Sequence, residues 1–218
     1  MLRRLKMLGV TAVAAVLLAA PAIAAPVIDF QTGLAGVGGS ISWDGSNVIG
    51  SNIPIGAVAI TGADQNNGVF IVSGLTSAQG GSAFGSLDFN TSTNFINISG
   101  CISGLGIGGL DGSGNCVTPV TLMSGTFDDW DTNSRNGLIS ASGDDTKNLL
   151  LLDAIAFDPQ WPWEFFGFAI STTPLNPNGT PGTVISTDIR NTPVPEPATM
   201  MLLGTGLLAA FRARRRQA

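Results

Sequence analysis

The sequence contains no histidine and no tyrosine among its 218 residues. Without histidine there is no imidazole to activate a serine or cysteine nucleophile, to act as a general base or to ligate zinc. The absence therefore excludes histidine-dependent hydrolases and histidine-ligated zinc sites. Two carboxylates could still cleave a glycosidic bond, but a sequence does not show the separation between acids that this chemistry needs. We rank a two-carboxylate hydrolase last and expect no catalysis.

Charged residues are also scarce, and most of the bases stand at the two ends of the chain. Asp, Glu, Lys and Arg make up 11% of the residues. Residues 25–193 hold 14 acids and only 3 bases (Arg135, Lys147 and Arg190), which gives a net charge of −11. A field of this sign repels phosphate backbones and anionic lipid headgroups. We therefore expect no nucleic-acid partner, whereas divalent cations would be attracted.

The first 24 residues have the pattern of a secretory signal peptide. Three bases precede an uncharged apolar run over residues 7–20, and Ala22 and Ala24 form an A-x-A cleavage site. We predict cleavage after Ala24 and export of the chain that follows. The alternative is a membrane helix that is retained.

The last residues hold a second membrane signal. Residues 198–211 carry no charge. As a helix these 14 residues span ~21 Å, which is short of the ~30 Å hydrocarbon core of a bilayer. Arginine side chains can extend the apolar surface by snorkelling, and Pro197 suits a first helical turn. Four arginines follow the run: Arg212, Arg214, Arg215 and Arg216. We expect a short transmembrane helix with these arginines in the cytoplasm and residues 25–193, the ectodomain, outside.

A small acidic motif stands in front of this apolar run. Pro195, Glu196 and Pro197 precede a segment that contains Gly204 and Gly206. With the arginine cluster, residues 194–218 resemble the PEP-CTERM sorting domain, a family known from Gram-negative bacteria that make extracellular polysaccharide. The resemblance implies recognition by a membrane-embedded exosortase, cleavage near the Pro-Glu-Pro motif, and release to the cell surface or extracellular matrix. The alternative is an ordinary single-span anchor after a proline-rich linker.

The ectodomain is rich in glycine. It has 26 glycines in 169 residues, about twice the ~7% of average proteins. Such a composition opposes long helices, and turn sequences such as Asn66-Asn67-Gly68 separate short runs of β-branched and aromatic residues. The predicted strands cover residues 27–30, 41–43, 57–61, 69–73, 86–89, 95–99, 117–123, 137–141, 149–157, 165–172 and 183–189. We predict a single all-β domain, an antiparallel β-sandwich or jelly roll.

One of these predicted strands has an alternative interpretation, and two prolines restrict where strands can pair. Residues 148–157, NLLLLDAIAF, have leucines that suit a helix, but the short length and the strand-like neighbours favour a buried strand. A helix remains the alternative. Pro54 and Pro119 are expected at sheet edges or bulges, where a missing N–H donor costs least.

The chain has two cysteines, Cys101 and Cys116, which stand 15 positions apart across a glycine-rich loop. In an exported protein this arrangement favours a disulfide. Closing a loop of this size would constrain the unfolded chain by ~3 kcal/mol. A reactive thiol is the alternative, but it would lack a histidine to activate it. We therefore predict a structural disulfide.

An acidic segment, FDDWDTNSRN at residues 127–136, supplies the best metal-ligand candidates. Asp129, Asp131 and Asn133 alternate as D-x-D-x-N, which places hard oxygen donors at the first three positions of a calcium loop. Ser134 stands where such loops have glycine, and Ser140 where they have the bidentate glutamate. A solvated acidic turn is therefore the alternative, and we expect no cofactor other than calcium.

Aromatic residues are concentrated at WPWEFF, residues 161–166. If Trp161 or Trp163 is exposed beside carboxylates, its ring can stack on a sugar, whereas the alternative places both rings in the core. Two hypotheses for the ectodomain follow. The favoured one is a structural or adhesive protein of the cell surface or matrix, in contact with extracellular polysaccharide. The other is a calcium-assisted glycan-binding module.

Overall fold

The computed structural model describes residues 25–35, 38–75, 83–158, 162–177 and 181–194. These residues form an antiparallel β fold with very little helix. The strands are β1 (Val27–Gln31), β2 (Gly38–Trp43), β3 (Val48–Ile55), β4 (Ala57–Thr61), β5 (Gly68–Ile71), β6 (Gly85–Asn90), β7 (Phe95–Gly100), β8 (Gly109–Leu110), β9 (Cys116–Thr118), β10 (Val120–Gly125), β11 (Asp129–Asn133), β12 (Leu138–Lys147), β13 (Trp163–Thr172) and β14 (Gly182–Pro193). The helical segments within these described ranges are two 3-10 turns, Gly33–Ala35 and Ser103–Leu105, and one short helix, α1 (Leu149–Ala154).

Twelve of these strands belong to one antiparallel sheet, while β8 and β9 form a separate two-stranded ribbon. The order in the sheet is β11-β12-β10-β7-β6-β3-β2-β14-β1-β4-β5, and β13 pairs with both β12 and β14. Because β13 joins these two strands, the pairings lead from β12 through β10, β7, β6, β3 and β2 to β14 and back. The prediction of an antiparallel all-β ectodomain is confirmed, with its strands joined in a single curled sheet.

The three longest strands connect the parts of this sheet. Strand β12 pairs with β11 over residues 138–142 and with β10 over residues 145–147. Strand β14 pairs with β2 near its start and with β1 over residues 188–191. Between them, β13 follows both partners with breaks in register near Gly143 and between Phe165 and Ala169. Such irregularities bend a strand, and they let these long strands turn from one part of the sheet to the next.

The core lies inside the curled sheet and is built by alternation along the strands. In β1, Ile28 and Phe30 are buried, and in β7 Ile96 and Ile98 are buried, while their neighbours are more exposed. Four phenylalanines meet edge to face or tilted at the centre, with ring centroids 5.3 to 6.1 Å apart: Phe89, Phe127, Phe165 and Phe168. Removal of these apolar side chains from water is the main force that holds the sheet in its curled form.

The predicted buried strand over residues 149–157 is wrong, because residues 149–154 form α1. The side chain of Asn148 caps the helix by accepting a hydrogen bond of 2.9 Å from a backbone N–H of the first turn. Leu151, Leu152 and Ile155 are buried, which is a helical spacing, whereas Asp153 faces solvent. In a strand, Asp153 would have faced the same side as Leu151.

Both prolines lie where their missing N–H costs little. Pro54 is in β3 just after a break in register with β6 between Gly50 and Ile53. Asn52 sits within that break at a left-handed φ of 52°. Pro119 separates β9 from β10. The expectation of sheet edges or bulges is therefore met by Pro54, which adjoins the register break, whereas Pro119 lies in the connection between two strands.

Candidate functional site

Cys101 and Cys116 form a disulfide, which confirms the predicted pairing. Cys101 directly follows β7 and Cys116 begins β9; their Cα atoms are 5.7 Å apart and both side chains are buried. The backbone of Cys101 also exchanges two hydrogen bonds with Ser73, of 2.9 and 2.7 Å. The bridge therefore ties the loop between β7 and β9 to the end of the main sheet.

The loop inside the disulfide is shaped by glycine and by an aspartate turn. Gly108 has a φ of +91°, and a Cβ at this position would lie 2.9 Å from the Cβ of Cys101. Further along, the carboxylate of Asp111 accepts hydrogen bonds from the side chain of Asn115 and from the backbone N–H groups of Ser113 and Asn115. These bonds hold the pKa of Asp111 below its ordinary value, and the bond from the Asn115 side chain contributes most to this lowering.

The three candidate calcium ligands lie on a strand and not in a loop. Asp129, Asp131 and Asn133 occupy alternate positions of β11, all exposed and on one face. Alternate residues of a strand are ~7 Å apart, so these side chains spread along the edge of the sheet and do not curl around one ion. In the part of the chain that the structure describes, no group of three or more His, Cys, Asp and Glu residues is placed to hold a metal. The expected loop is corrected to a strand, and calcium binding by these residues stays a prediction.

The two tryptophans of residues 161–166 differ in what the structure describes. The side chain of Trp163 is 2% exposed, and its ring packs edge-on against Phe157 with the centroids 5.3 Å apart. A buried ring offers no face to a sugar, so the expectation that Trp163 stacks on a glycan is wrong. It belongs to the core, as the alternative stated. Trp161 lies outside the described residues.

A carboxyl group with an altered pKa lies on the outer face of the β1–β14 pair. Asp29 stands opposite Arg190 and Gln31 opposite Asp188, so the four side chains form a rectangle on one face. Gln31 Nε2 donates to Asp29 Oδ2 at 3.0 Å, whereas Asp29 Oδ1 is buried with no hydrogen-bond partner among the described residues. Burial raises the pKa of Asp29 to about 6, with further contributions from a hydrogen bond to Asp188 and from its charge. Asp29 therefore changes its charge in mildly acidic solution.

A second polar group lies in the core, where the inner faces of β12 and β14 approach each other beneath β13. Lys147 forms an ion pair with Asp145, and its Nζ donates a hydrogen bond of 3.0 Å to Asn191 Oδ1. The same nitrogen lies 5.0 Å from the ring centroid of Trp163. The side chains of Lys147 and Asp145 have no exposed surface at all. We call Lys147, Asp145 and Asn191 the buried lysine group.

The electrostatics of this group favour uncharged forms. Burial lowers the pKa of Lys147 to about 8, although the charge of Asp145 and its hydrogen bond oppose the change. Burial likewise raises the pKa of Asp145, and the neighbouring Asp144 and Glu164 add to the rise. Asp145 Oδ2 and Trp163 Nε1 are buried with no hydrogen-bond partner in the described chain. Asp145 in the group and Trp163 beside it therefore have unused hydrogen-bonding capacity in buried positions.

Sequence patterns did not reveal the buried lysine group. The run SGDDTK at the end of β12 has no large apolar residue to mark its inner face, so hydrophobic alternation gives no signal there. One signal was present in the composition, because Lys147 is the only lysine of residues 25–193. A count of charges treats that lysine as a surface base.

Several large apolar side chains are exposed on the edge strand β5 and on α1. In the edge strand β5, Val69 and Ile71 are 72% and 61% exposed, and in α1 Leu149 and Leu150 are 67% and 55% exposed. A hydrogen bond of 2.7 Å from Asn66 Nδ2 to a carbonyl of α1 links the turn before β5 to this helix. Strand β5 is the last strand in the order of the sheet, so Val69 and Ile71 lie at an open edge.

The predicted signal peptide, residues 1–24, and the sorting-motif residues lie outside the described residues. The sorting-motif residues are Pro195, Glu196, Pro197, Arg212, Arg214, Arg215 and Arg216. Among the described residues, no helix combines the length and the apolar character that crossing a membrane requires.

Comparison with protein families identifies the tail. The family model described as the PEP-CTERM protein-sorting motif matches residues 193–216. This match confirms the resemblance noted from the Pro-Glu-Pro motif, the apolar run and the arginine cluster. Comparison with curated proteins and with solved structures gave no match. The motif implies an exported cell-surface protein that an exosortase-type enzyme recognises and sorts.

Proposed function

We propose that this protein is a structural or adhesive component of the cell surface or extracellular matrix in a Gram-negative bacterium that makes extracellular polysaccharide. The observation that carries the proposal is the match of the PEP-CTERM sorting motif to residues 193–216. The signal-peptide pattern of residues 1–24 supports it, because a sorting tail acts on a chain that has been exported.

The position of the motif suits release of an intact ectodomain. The last strand, β14, ends at Pro193, and Val194 donates a final hydrogen bond of 2.9 Å to the carbonyl of Pro162. Cleavage near Pro195 would therefore remove the tail without removing any residue of the sheet. On this proposal, residues 198–211 hold the precursor in the inner membrane only until the exosortase acts.

The ectodomain has features that suit contact and not catalysis. The apolar side chains at the β5 edge offer adhesive surface, and the disulfide stabilises the fold outside the cell. We further infer that the curled sheet is a β-sandwich, in which the parts joined by β12, β13 and β14 face each other across one core. We assign no enzymatic activity, since the chain has no histidine to activate a nucleophile.

Processing in the native host tests the proposal. We expect the wild-type protein at the cell surface or in the medium, with a mass that lacks the tail from the motif onward. Replacing Pro195, Glu196 and Pro197 together by alanine should leave an unprocessed, membrane-bound chain that retains the four arginines. Gln217→Ala, outside the matched residues, is the control and should be processed normally. Wild-type protein that keeps its tail at the surface, or that stays in the cytoplasm, contradicts the proposal.

Binding to the host's purified polysaccharide separates the adhesive role from the glycan-binding alternative. An adhesive protein should bind with or without calcium and without dependence on Trp161. Retention that needs calcium and disappears in Trp161→Ala would instead establish a calcium-assisted glycan-binding module. The control is Trp130→Ala, which removes a half-buried ring from β11.

A further inference from the structure

The side chain of the only lysine of the ectodomain is fully buried. Lysine is almost never fully buried unless it is paired, and a buried ion pair often contributes no more stability than apolar residues of the same volume. Stabilisation by charge pairing is therefore a weak reason to bury Lys147. The surroundings of its amine suggest a chemical reason.

Asn191 holds its amide in a fixed orientation beside this amine. Its Nδ2 donates to the backbone carbonyls of Ile28 and Ile189, at 3.0 and 2.8 Å. These two bonds use both N–H groups of the amide and leave Oδ1 to accept from Lys147 Nζ at 3.0 Å. Because Oδ1 is bonded to Cγ, this hydrogen bond places the amine beside the carbon that it would attack.

Asp145 completes the set of groups that an amine needs to react. Its carboxylate contacts Lys147 Nζ directly, and its Oδ2 has no hydrogen-bond partner in the described chain. Because burial lowers the pKa of Lys147 and raises that of Asp145, transfer of a proton from the amine to the carboxylate is favoured relative to water. The transfer produces a neutral amine, which is nucleophilic, beside a carboxylic acid, which can donate a proton.

We propose that Lys147 and Asn191 form an intramolecular isopeptide bond, with Asp145 as the catalytic proton carrier. Lys147 Nζ bonds to Cγ of Asn191, the Cγ–Nδ2 bond breaks, and Nδ2 leaves as ammonium. Nζ loses two protons, one before the attack and one after it; Asp145 accepts each in turn and passes it to the leaving nitrogen, so it ends ionised, as it began. An ammonium group and a primary amide thus become a secondary amide and an ammonium ion, with no oxidant, reductant or further reactant.

The position of Asn191 makes it the electrophile in preference to Asp145. Asp145 lies two residues before Lys147 on β12, so a bond between them would close a ring within one strand. Asn191 is 44 residues further along the chain, on β14. A bond to Asn191 would join the two long strands that flank β13 and so lock the closure of the sheet. The inference does not rest on the proposed function, since it concerns the core and not the tail.

Mass spectrometry of the folded full chain from its host tests the bond. After correction for the disulfide and for processing at either end, the mass should be lower than the sequence mass by one ammonia. Trypsin should yield a branched peptide in which residues 136–190, uncut at Lys147, are joined to the peptide that begins at Asn191. Lys147→Arg and Asn191→Ala should have the full mass, and Asp145→Asn should lose the bond. Asn133→Ala, which changes an exposed asparagine, is the matched control and should retain it.

Three results overturn the proposal. The first is a wild-type chain of full mass that trypsin cuts after Lys147. The second is the loss of one water with Lys147 joined to Asp145, which would make Asp145 the electrophile. The third is an ammonia loss that persists in a folded Lys147→Arg chain, because it would then arise at another asparagine. If a variant fails to fold, the peptide map of the wild type decides alone.

Discussion

The disulfide and the buried lysine group connect the ectodomain at two different kinds of place. Cys101–Cys116 closes a loop of 15 positions that lies beside the main sheet. The buried lysine group brings together residues separated by 44 positions, on the two long strands that close the sheet around its core. The first connection restricts a local loop, whereas the second, which we call the core connection, joins the two strands that flank β13. We therefore expect the core connection to matter more for global stability and the disulfide more for the loop.

Removal of Lys147 should have the largest effect. In Lys147→Met the loss of a link around 44 residues should cost about 4 kcal/mol in chain entropy. Lys147→Met also removes the N–H group that contacts Asp145, and a buried carboxyl group left without this partner should cost ~1–3 kcal/mol more. Unfolding in guanidinium chloride, followed by circular dichroism, measures the sum. The double variant Lys147→Met, Asp145→Leu is the control and should recover the part due to the unpaired carboxylate. A loss below about 1 kcal/mol in the single variant would show that Lys147 does not link β12 to β14 in a way that stabilises the fold.

Opening of the disulfide should have the next largest effect. Cys101→Ser with Cys116→Ser should lower the free energy of unfolding by ~3 kcal/mol, because the unfolded chain regains the entropy of a 15-position loop. Urea unfolding of the oxidised wild type, the reduced wild type and the double serine variant measures the loss. If the variant lost as much stability as Lys147→Met, the disulfide and the buried lysine group would contribute equally to global stability, which contradicts the expected difference.

A methyl group beside the disulfide should have a smaller effect. Gly108→Ala places a Cβ 2.9 Å from Cys101 Cβ at a φ of +91°, so both backbone strain and a clash oppose it. We expect a loss of about 2 kcal/mol or more. Gly106→Ala is the matched control, since its φ of +68° is also in the left-handed region but nothing lies within 4 Å. Its loss should be about 1 kcal/mol, and thermal unfolding compares the two. Equal losses would show that the loop does not pack on the disulfide.

The smallest effect concerns Asp29, which is only half-buried and so contrasts with Asp145. The pKa of Asp29 is raised from 3.8 to about 6 in the folded protein. Between these values the folded state binds more protons than the unfolded chain, so its stability falls as pH rises through this window. Asp29→Asn should remove the part of this loss of stability that is due to Asp29. The difference in the free energy of unfolding between wild type and variant, measured from pH 4 to 7, separates this contribution from those of Asp145 and Lys147. A wild type whose pH dependence equals that of Asp29→Asn would show that this carboxyl titrates normally.

Strand positions were predictable where apolar and polar residues alternate. The predicted bounds of β4 agree with the structure, and β7 differs by one residue, because Ile96 and Ile98 mark the inner face plainly. Strand β11 was missed because its residues are polar: its partner β12, and not burial of its own side chains, makes it a strand. In α1 the cap Asn148 and the exposed Asp153 were available signals, but neighbouring strands outweighed them.

The disulfide, the tail motif and the buried lysine group also differed in how far the sequence predicted them. The disulfide was predictable because cysteine has a single partner of its own type in this chain, and the tail was predictable because its motif is contiguous. The buried lysine group consists of common residue types from two distant strands, so only the pairing of β12, β13 and β14 brings them together. Surface and core positions both stayed open for Trp163, because a sequence does not show which way a strand faces; the structure places it in the core.

Labelling of amines in the unfolded chain tests the core connection most directly. When the reduced protein is denatured and treated with an amine-reactive reagent, Lys147 is the one side-chain amine of residues 25–193 that can react. The account predicts that the mature wild type takes up label only at its N-terminus, whereas Asn191→Ala takes up a second label at Lys147. A wild-type chain labelled at Lys147 to the same extent as Asn191→Ala would contradict it.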